Sequence, residues 1–419
     1  MKDLWGTIFR TSAAKIYNIT LSIVSLIITA RLLGPEGRGI IVAILSWSSF
    51  LAILNSLSLG QVSQYYIQTH KKSNWISPLF GSLVFLTAIL SLISLVIAIM
   101  IYIFTAGKAF GGIKNSLLMF GIIMVPFCIW EQYGSYLLMS IGQLKLYNIA
   151  QIAGRTFNVI TIVIFVYFIQ LGVTGALLAT ILGQIIISLV GINRLWHLAG
   201  SKILIEKSLI RSLLSGAGRL HLNTVGALLL SQVNILLLNY YSTKAVVGLY
   251  QFSFQLITIM LVIPQAVSMV LFSKMAGLTP DSLWKSQKKI ILQIMGFMIL
   301  IAILAYWIAP FVILLLAGER FQDSIAIFRQ LLPVVVGMSL AHLMTTQWIG
   351  RGKFLLASII TIISAVLNIV FGIILIPVYG MQGAVWTSLI SFAFFATIVQ
   401  LVFAVWCDKK SKQTTITRL

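Results

Sequence analysis

Twelve apolar stretches, each long enough to cross a bilayer, fill this 419-residue chain and leave almost nothing over for a soluble domain. A hydrocarbon core about 30 Å thick needs roughly 20 helical residues to span it. The stretches are residues 13–33, 40–67, 78–103, 117–139, 149–169, 175–196, 220–240, 247–272, 290–316, 331–348, 355–378 and 383–406. No water reaches the bilayer core, so the backbone must satisfy its own hydrogen bonds there and each stretch is expected to be helical. The chain reads as an all-α polytopic membrane protein.

Composition agrees. Charged residues make up 9% of the chain and apolar ones 59%, where a soluble domain carries about 25% charged residues. The two cysteines, Cys128 and Cys407, are too few for a disulfide framework. The first stretch follows basic residues but is long and leads into further spans, so it is expected to stay as a helix rather than be removed as a signal peptide.

A net charge of +21 would suit a nucleic-acid binder, but its distribution argues for a topology signal. Numbering the loops alternately, most Lys and Arg residues fall on the side of both termini, among them Lys2, Lys71, Lys145, Lys207, Lys285, Lys288, Arg351 and Lys410. The opposite side receives few, such as Arg31, Lys108, Lys244 and Arg329. By the positive-inside rule both termini are expected in the cytoplasm, with membrane lipids as the partner of the basic face and no nucleic acid.

The two halves repeat at an offset of 208 or 209 residues. Arg10 maps to Arg219 and Gly39 to Gly248, while Gly142, Lys145, Gly172 and Gly175 map to Gly350, Lys353, Gly380 and Gly383. SIGQLK before the fifth span answers WIGRGK before the eleventh. Six spans per half is an even number, so the halves are parallel repeats. The expected organisation is an amino-terminal six-helix lobe (1–200), an amphipathic cytoplasmic linker (201–212), a second six-helix lobe (213–406) and a cytoplasmic tail (407–419).

Polar residues inside the spans mark candidate sites. Lys15, Asn18, Ser22, Ser25 and Thr29 recur at spacings that put all five on one helical face. Serine and threonine alone would serve close helix packing, but Lys15 and Asn18 on the same face favour a water-filled cavity. Ionisable groups in a span cost at least about 2.5 kcal/mol and usually face the protein interior. Glu131 and Arg155 lie at similar depth in adjacent spans, which could hold them as an ion pair. Arg219, His221 and His342 fall in the same half of the membrane, with Gln61 and Gln64. Guanidinium groups grip phosphate bidentately and Lys serves as a point charge, so such a cavity fits a polar anionic substrate better than a hydrophobic cation. G-x-x-x-x-G-K-[ST], H-E-x-x-H and clustered metal ligands are absent from the sequence, and loops this short offer no place to assemble a catalytic constellation. The chain is not expected to be an enzyme.

ITARLLGPEGRGI (28–40) and LNIVFGIILIPVYGMQGAVWTSLIS (367–391) resemble the opening and the eleventh-to-twelfth-span segments of bacterial polysaccharide flippases, members of the multidrug, oligosaccharidyl-lipid and polysaccharide exporter superfamily. Arg31, Pro35, Glu36 and Gly37, like Gly380 and Gly383, are expected to shape tight turns. The resemblance implies a MATE-like fold of 12 transmembrane helices in a V around a central cavity, in a bacterial inner membrane. It implies flipping of an undecaprenyl-diphosphate-linked oligosaccharide by alternating access, alongside other polysaccharide assembly proteins. Lys15, Arg155 and Arg219 would then attract the diphosphate, and Asn18, Asn55, Gln61, Asn234 and Gln255 would bind sugars. Glu131 or His342 would carry a coupling ion, H+ or Na+, with no other cofactor. A drug/cation antiporter is the alternative, disfavoured because Glu131 is the sole acid within the spans. A membrane-embedded glycan polymerase or ligase would need a large outer loop that the sequence lacks.

Overall fold

The computed structural model describes residues 2–69, 75–200, 202–273 and 280–416; the Arg219 side chain lies outside what it describes. Regular structure among these residues is helical throughout: α1 (Lys2–Asn55), α2 (Leu59–Thr69), α3 (Ile76–Phe104), α4 (Asn115–Ser140), α5 (Leu144–Ile162), α6 (Gly172–Leu198), α7 (Lys207–Tyr241), α8 (Lys244–Met260), α9 (Val262–Ser273), α10 (Pro280–Ala317), α11 (Asp323–Gly350), α12 (Phe354–Ser388) and α13 (Ala396–Ile416). Among the described residues ten helical segments are long and apolar enough to span a membrane. The first (Ala14–Asn55, 42 residues) and the last (Leu355–Ser411, 57 residues) are too long for a single crossing. Each is divided at a glycine with positive φ, Gly34 (φ 68°) and Gly380 (φ 54°), followed or preceded within a turn by proline. A side chain at such a φ is strained, and the two divisions bring the crossings to twelve.

The repeat is visible in how helices end. After α4, Gly142 takes a left-handed φ of 74° while the Gln143 amide reaches back to the Leu138 carbonyl at 2.8 Å. After α11, Gly352 takes φ 67° and the Lys353 amide reaches the Trp348 carbonyl at 2.9 Å. These are the same C-terminal cap, in which glycine fills the left-handed position. The counterpart of Gly142 is therefore Gly352, two residues beyond the Gly350 that sequence matching selects. Gly172 and Gly380, both with positive φ, keep the expected pairing.

By its contacts the chain forms two compact units. The first comprises Met1–Leu228 and Thr243–Gly248. Its core joins Leu79, Phe80 and Leu83 of α3 to Ile129, Trp130 and Tyr133 of α4, and takes in Leu209, Leu213 and Ala217 from the start of α7. Those three recur every fourth residue, whereas Lys207 before them and Arg211 between them are exposed, so residues 207–212 of the expected amphipathic linker form the first part of a 35-residue helix. The segment before it crosses α3 closely: a methyl group on Gly81 would lie 2.7 Å from the Leu204 nitrogen. Helices α5 and α6 meet at Gly154 and Gly183, each of whose missing Cβ would lie 2.6 or 2.7 Å from the other's carbonyl oxygen. Gly39 of α1 and Gly248 of α8 face each other likewise, Gly39 over the Lys244 carbonyl and Gly248 over that of Pro35.

The second unit comprises Leu229–Ser242 and Leu249–Leu419. Its core includes Trp284 and Ile291 of α10, Leu343 and Trp348 of α11 and Phe403 of α13. Gly337 of α11 lies against the Phe392 carbonyl in the π-helical stretch Leu389–Phe395. At one end an ion pair joins Arg351 to Asp281, and Asp408 accepts from Lys288 and from the Trp284 indole (2.6 Å).

Because Gly154 sits against backbone, Gly154→Val is expected to lower thermal stability in detergent by about 1–3 kcal/mol. Gly296→Ala, with no atom within 4 Å of the new methyl, should be neutral or gain about 0.5–1 kcal/mol from helix propensity. Equal melting temperatures for the two variants would contradict the close crossing.

Candidate functional site in the first unit

The second span is interrupted. Residues 56–58 separate α1 from α2, and Leu57 (φ 49°) and Ser58 (φ 53°) are both left-handed. Each such non-glycine residue costs about 1–2 kcal/mol, and broken backbone inside a membrane is tolerated only where protein or a water-lined cavity satisfies it. Here the partners are specific. The Tyr133 hydroxyl donates to the Ser56 carbonyl at 2.8 Å, and the Asn55 amide donates to the Leu51 carbonyl at 3.0 Å. The Ser58 hydroxyl donates to Thr224 Oγ1 at 2.9 Å and lies 3.2 Å from His221 Nδ1. His221 also hydrogen-bonds the Leu54 backbone. One turn on, Gln61 Nε2 donates to the Tyr136 hydroxyl at 3.1 Å. Groups from α4 and α7 thus surround a break in the middle of a span, and discontinuous spans of this kind are where membrane carriers place their sites.

Asn55, Gln61 and His221 stand out in the sequence as polar residues of the spans; the break beside them does not. Its signal was present in Asn55, Ser56, Ser58 and Gly60, residues that compete with helix or loosen it, clustered inside an apolar run.

The first-span stripe splits with depth. Lys15 and Ser22 are exposed, Asn18 and Ser25 half-buried, and Thr29 buried. The Thr29 hydroxyl accepts from the buried Arg38 guanidinium at 3.0 Å, so it fastens the turn at Gly34 instead of facing a cavity. Ser22 bonds the Asn18 carbonyl at 2.9 Å, the usual resting place of a hydroxyl in a helix.

Glu131 and Arg155 do not form an ion pair. The two Glu131 carboxylate oxygens accept instead from Gln151 Nε2 (2.7 Å) and Gln184 Nε2 (2.5 Å), while Arg155 is exposed. The reason is rotational. Gly154 faces α6; Gln151, about 60° round the helix from it, still reaches Glu131, while Arg155, about 100° round, is exposed. Both glutamines are buried.

In the second unit Asn234 is 5% exposed, donating to Ser388 Oγ at 2.9 Å and to the Tyr250 hydroxyl at 3.2 Å. Asn55, 8% exposed, is enclosed likewise. Gln255 is half-buried and accepts from Gln251 at 2.8 Å. His342 is half-buried on α11, its backbone carbonyl accepting from Ser268. No group of three or more metal-ligating side chains occurs among the described residues.

Residues 4–278 match the family described as "Polysaccharide biosynthesis protein". The chain belongs to that family. A relative described as "Probable low-salt glycan biosynthesis flippase Agl15", from Haloferax volcanii, is 23% identical over 190 residues, 41% of this chain; the match spans 37% of that relative's length. Two solved structures share the fold. The lipid II flippase MurJ in an inward closed conformation has a TM-score of 0.78 at 13% identity, covering 94% of this chain and 87% of that one. An inward-facing multidrug resistance MATE family transporter of the MOP superfamily has a TM-score of 0.73 at 17% identity, covering 96% of each chain. The protein is accordingly a multi-pass, all-helical member of a polysaccharide biosynthesis family with the MATE-like arrangement of paired six-span repeats.

Glu131→Ala would strand two buried amides, at about 1–3 kcal/mol for each unsatisfied group. Its melting temperature in detergent should fall well below that of Glu131→Gln, which keeps an acceptor. Indistinguishable melting curves would reject the three-residue cluster.

Proposed function

We propose that this protein moves a lipid-linked oligosaccharide, carried on a polyprenyl diphosphate, from one leaflet to the other during surface polysaccharide assembly. The observation that carries the reading is the membrane-embedded break at Leu57–Ser58, walled by hydroxyl, amide and imidazole groups, within a chain of a polysaccharide biosynthesis family. A sugar headgroup needs polar partners at mid-membrane, and an interrupted span supplies backbone as well as side-chain ones. Lys15 and Arg155, both exposed at membrane depth, suit the diphosphate. Arg219 is assigned the same role from its place in the sequence, and Asn18, Gln61 and Gln255 are assigned to sugars.

A cation antiporter is less well supported. Its cargo needs a presented carboxylate, and the Glu131 carboxylate is occupied by two glutamine amides inside the first unit. Glu131 and His342 remain the proposed carriers of a coupling ion, H+ or Na+. The proposed setting is the cytoplasmic membrane with both termini inside, working by alternating access as a carrier and not an enzyme, beside other assembly proteins.

In proteoliposomes holding a fluorescent prenyl-diphosphate oligosaccharide, the chain should speed the loss of signal to a membrane-impermeant quencher. Lys15→Ala with Arg155→Ala should slow that loss about tenfold or more, the value of a charge-assisted phosphate contact. A rate no greater than that of empty liposomes would overturn the proposal.

A further inference from the structure

The second unit carries a groove that the transport reading does not use. It offers about 600 Å³ of space between α10, α11 and the π-helical stretch, lined by Ile299, Ile303, Leu332, Val336, Ala393 and Phe394. Phe394 is 63% exposed, and Trp307 at the rim 73%. A π-helical turn displaces its side chains from regular α-helical register and often marks a functional position; here it sets Ala393 and Phe394 into the wall.

At the mouth stands Arg329. Its Nε donates to the Tyr306 carbonyl at 2.9 Å, and its guanidinium carbon lies 4.6 Å from the centre of the Tyr306 ring. Arg329 is six residues into α11 and Tyr306 eleven residues before the end of α10. That puts the charge about 9–16 Å inside the helix ends, where a bare cation is costly. The ion pairs among the described residues are Lys288–Asp408 and Arg351–Asp281, so no described carboxylate answers Arg329. The ring and the carbonyl answer part of the charge, and the residue is only half-buried.

We infer that this groove is a binding site for an anionic phospholipid, its phosphate on Arg329 and one acyl chain along Ile303, Val336 and Phe394. The charge selects a phosphate, because guanidinium pairs with it bidentately. The apolar wall selects a source that brings a hydrocarbon chain with it. The inference does not depend on the transport reading.

The test is lipid binding to the purified protein in detergent, followed by native mass spectrometry and thermal stabilisation. Dioleoyl-phosphatidylglycerol is expected to bind and stabilise the wild type, dioleoyl-phosphatidylcholine much less, and inorganic phosphate not at all. Arg329→Gln should weaken phosphatidylglycerol binding about tenfold and Arg329→Lys should restore part of it. Val336→Trp, which fills the groove and keeps the charge, should weaken it too. Arg320→Gln, outside the groove, should bind as the wild type does. Equal binding of the two lipids, unchanged binding by Arg329→Gln, or full competition by inorganic phosphate would each overturn the inference.

Discussion

Hydrocarbon offers no partner to a peptide group, and this constraint organises the whole molecule. A backbone amide or carbonyl left bare there costs several kcal/mol, so departures from helix are few and each carries its own remedy. At Gly34 the chain turns by adopting a φ open to glycine, with Arg38 bonded back to Thr29. At Ser56–Ser58 the remedy comes from far away in sequence, through Tyr133, Thr224 and His221. A turn made by glycine is cheap and local. The break at Leu57 and Ser58 uses two strained residues and three borrowed side chains, an expense that persists where strain serves a site.

What could be read from the sequence follows the same physics. Span length is a direct consequence of bilayer thickness, so all twelve crossings were visible as runs of apolar residues. The duplication was visible because glycines recur at matched positions in each half, Gly172 with Gly380 at a positive φ and Gly39 with Gly248 at a close approach. Its register was not, because WIGRGK holds two glycines and only backbone dihedrals tell which one closes the helix; the answer is Gly352. The break in the second span was also hidden. Serines at Ser63 and Ser48 bond their own helix's carbonyls and leave it intact, and locally Ser56 and Ser58 differ from them only in clustering with Asn55 and Gly60. The difference lies in the tyrosine and histidine brought against them by the fold.

Depth and direction proved to be separate matters. Counting residues from a helix end put Glu131 and Arg155 at one level, and they are on neighbouring helices. Which way each side chain points depends on the rotation of α5, and that is fixed by the need of Gly154 and Gly183 to let two backbones touch. Small residues without chemistry of their own thereby decide which polar residue meets the buried carboxylate. The outcome also explains why Gln151 and Gln184, unremarkable in sequence, are buried while the charged Arg155 is not.

The division of the chain into units has a consequence for biogenesis. The first unit is not a product of the first six spans alone: Leu209, Leu213 and Ala217 complete its core, and Thr243–Gly248 belongs to it as well. As the ribosome delivers the polypeptide, the earlier helices can enter the bilayer but keep an open seam until the seventh and the start of the eighth have emerged. Maturation of the leading half therefore waits on the trailing one, and the gene's internal duplication does not mark a point at which a nascent chain could be severed to yield two self-sufficient pieces.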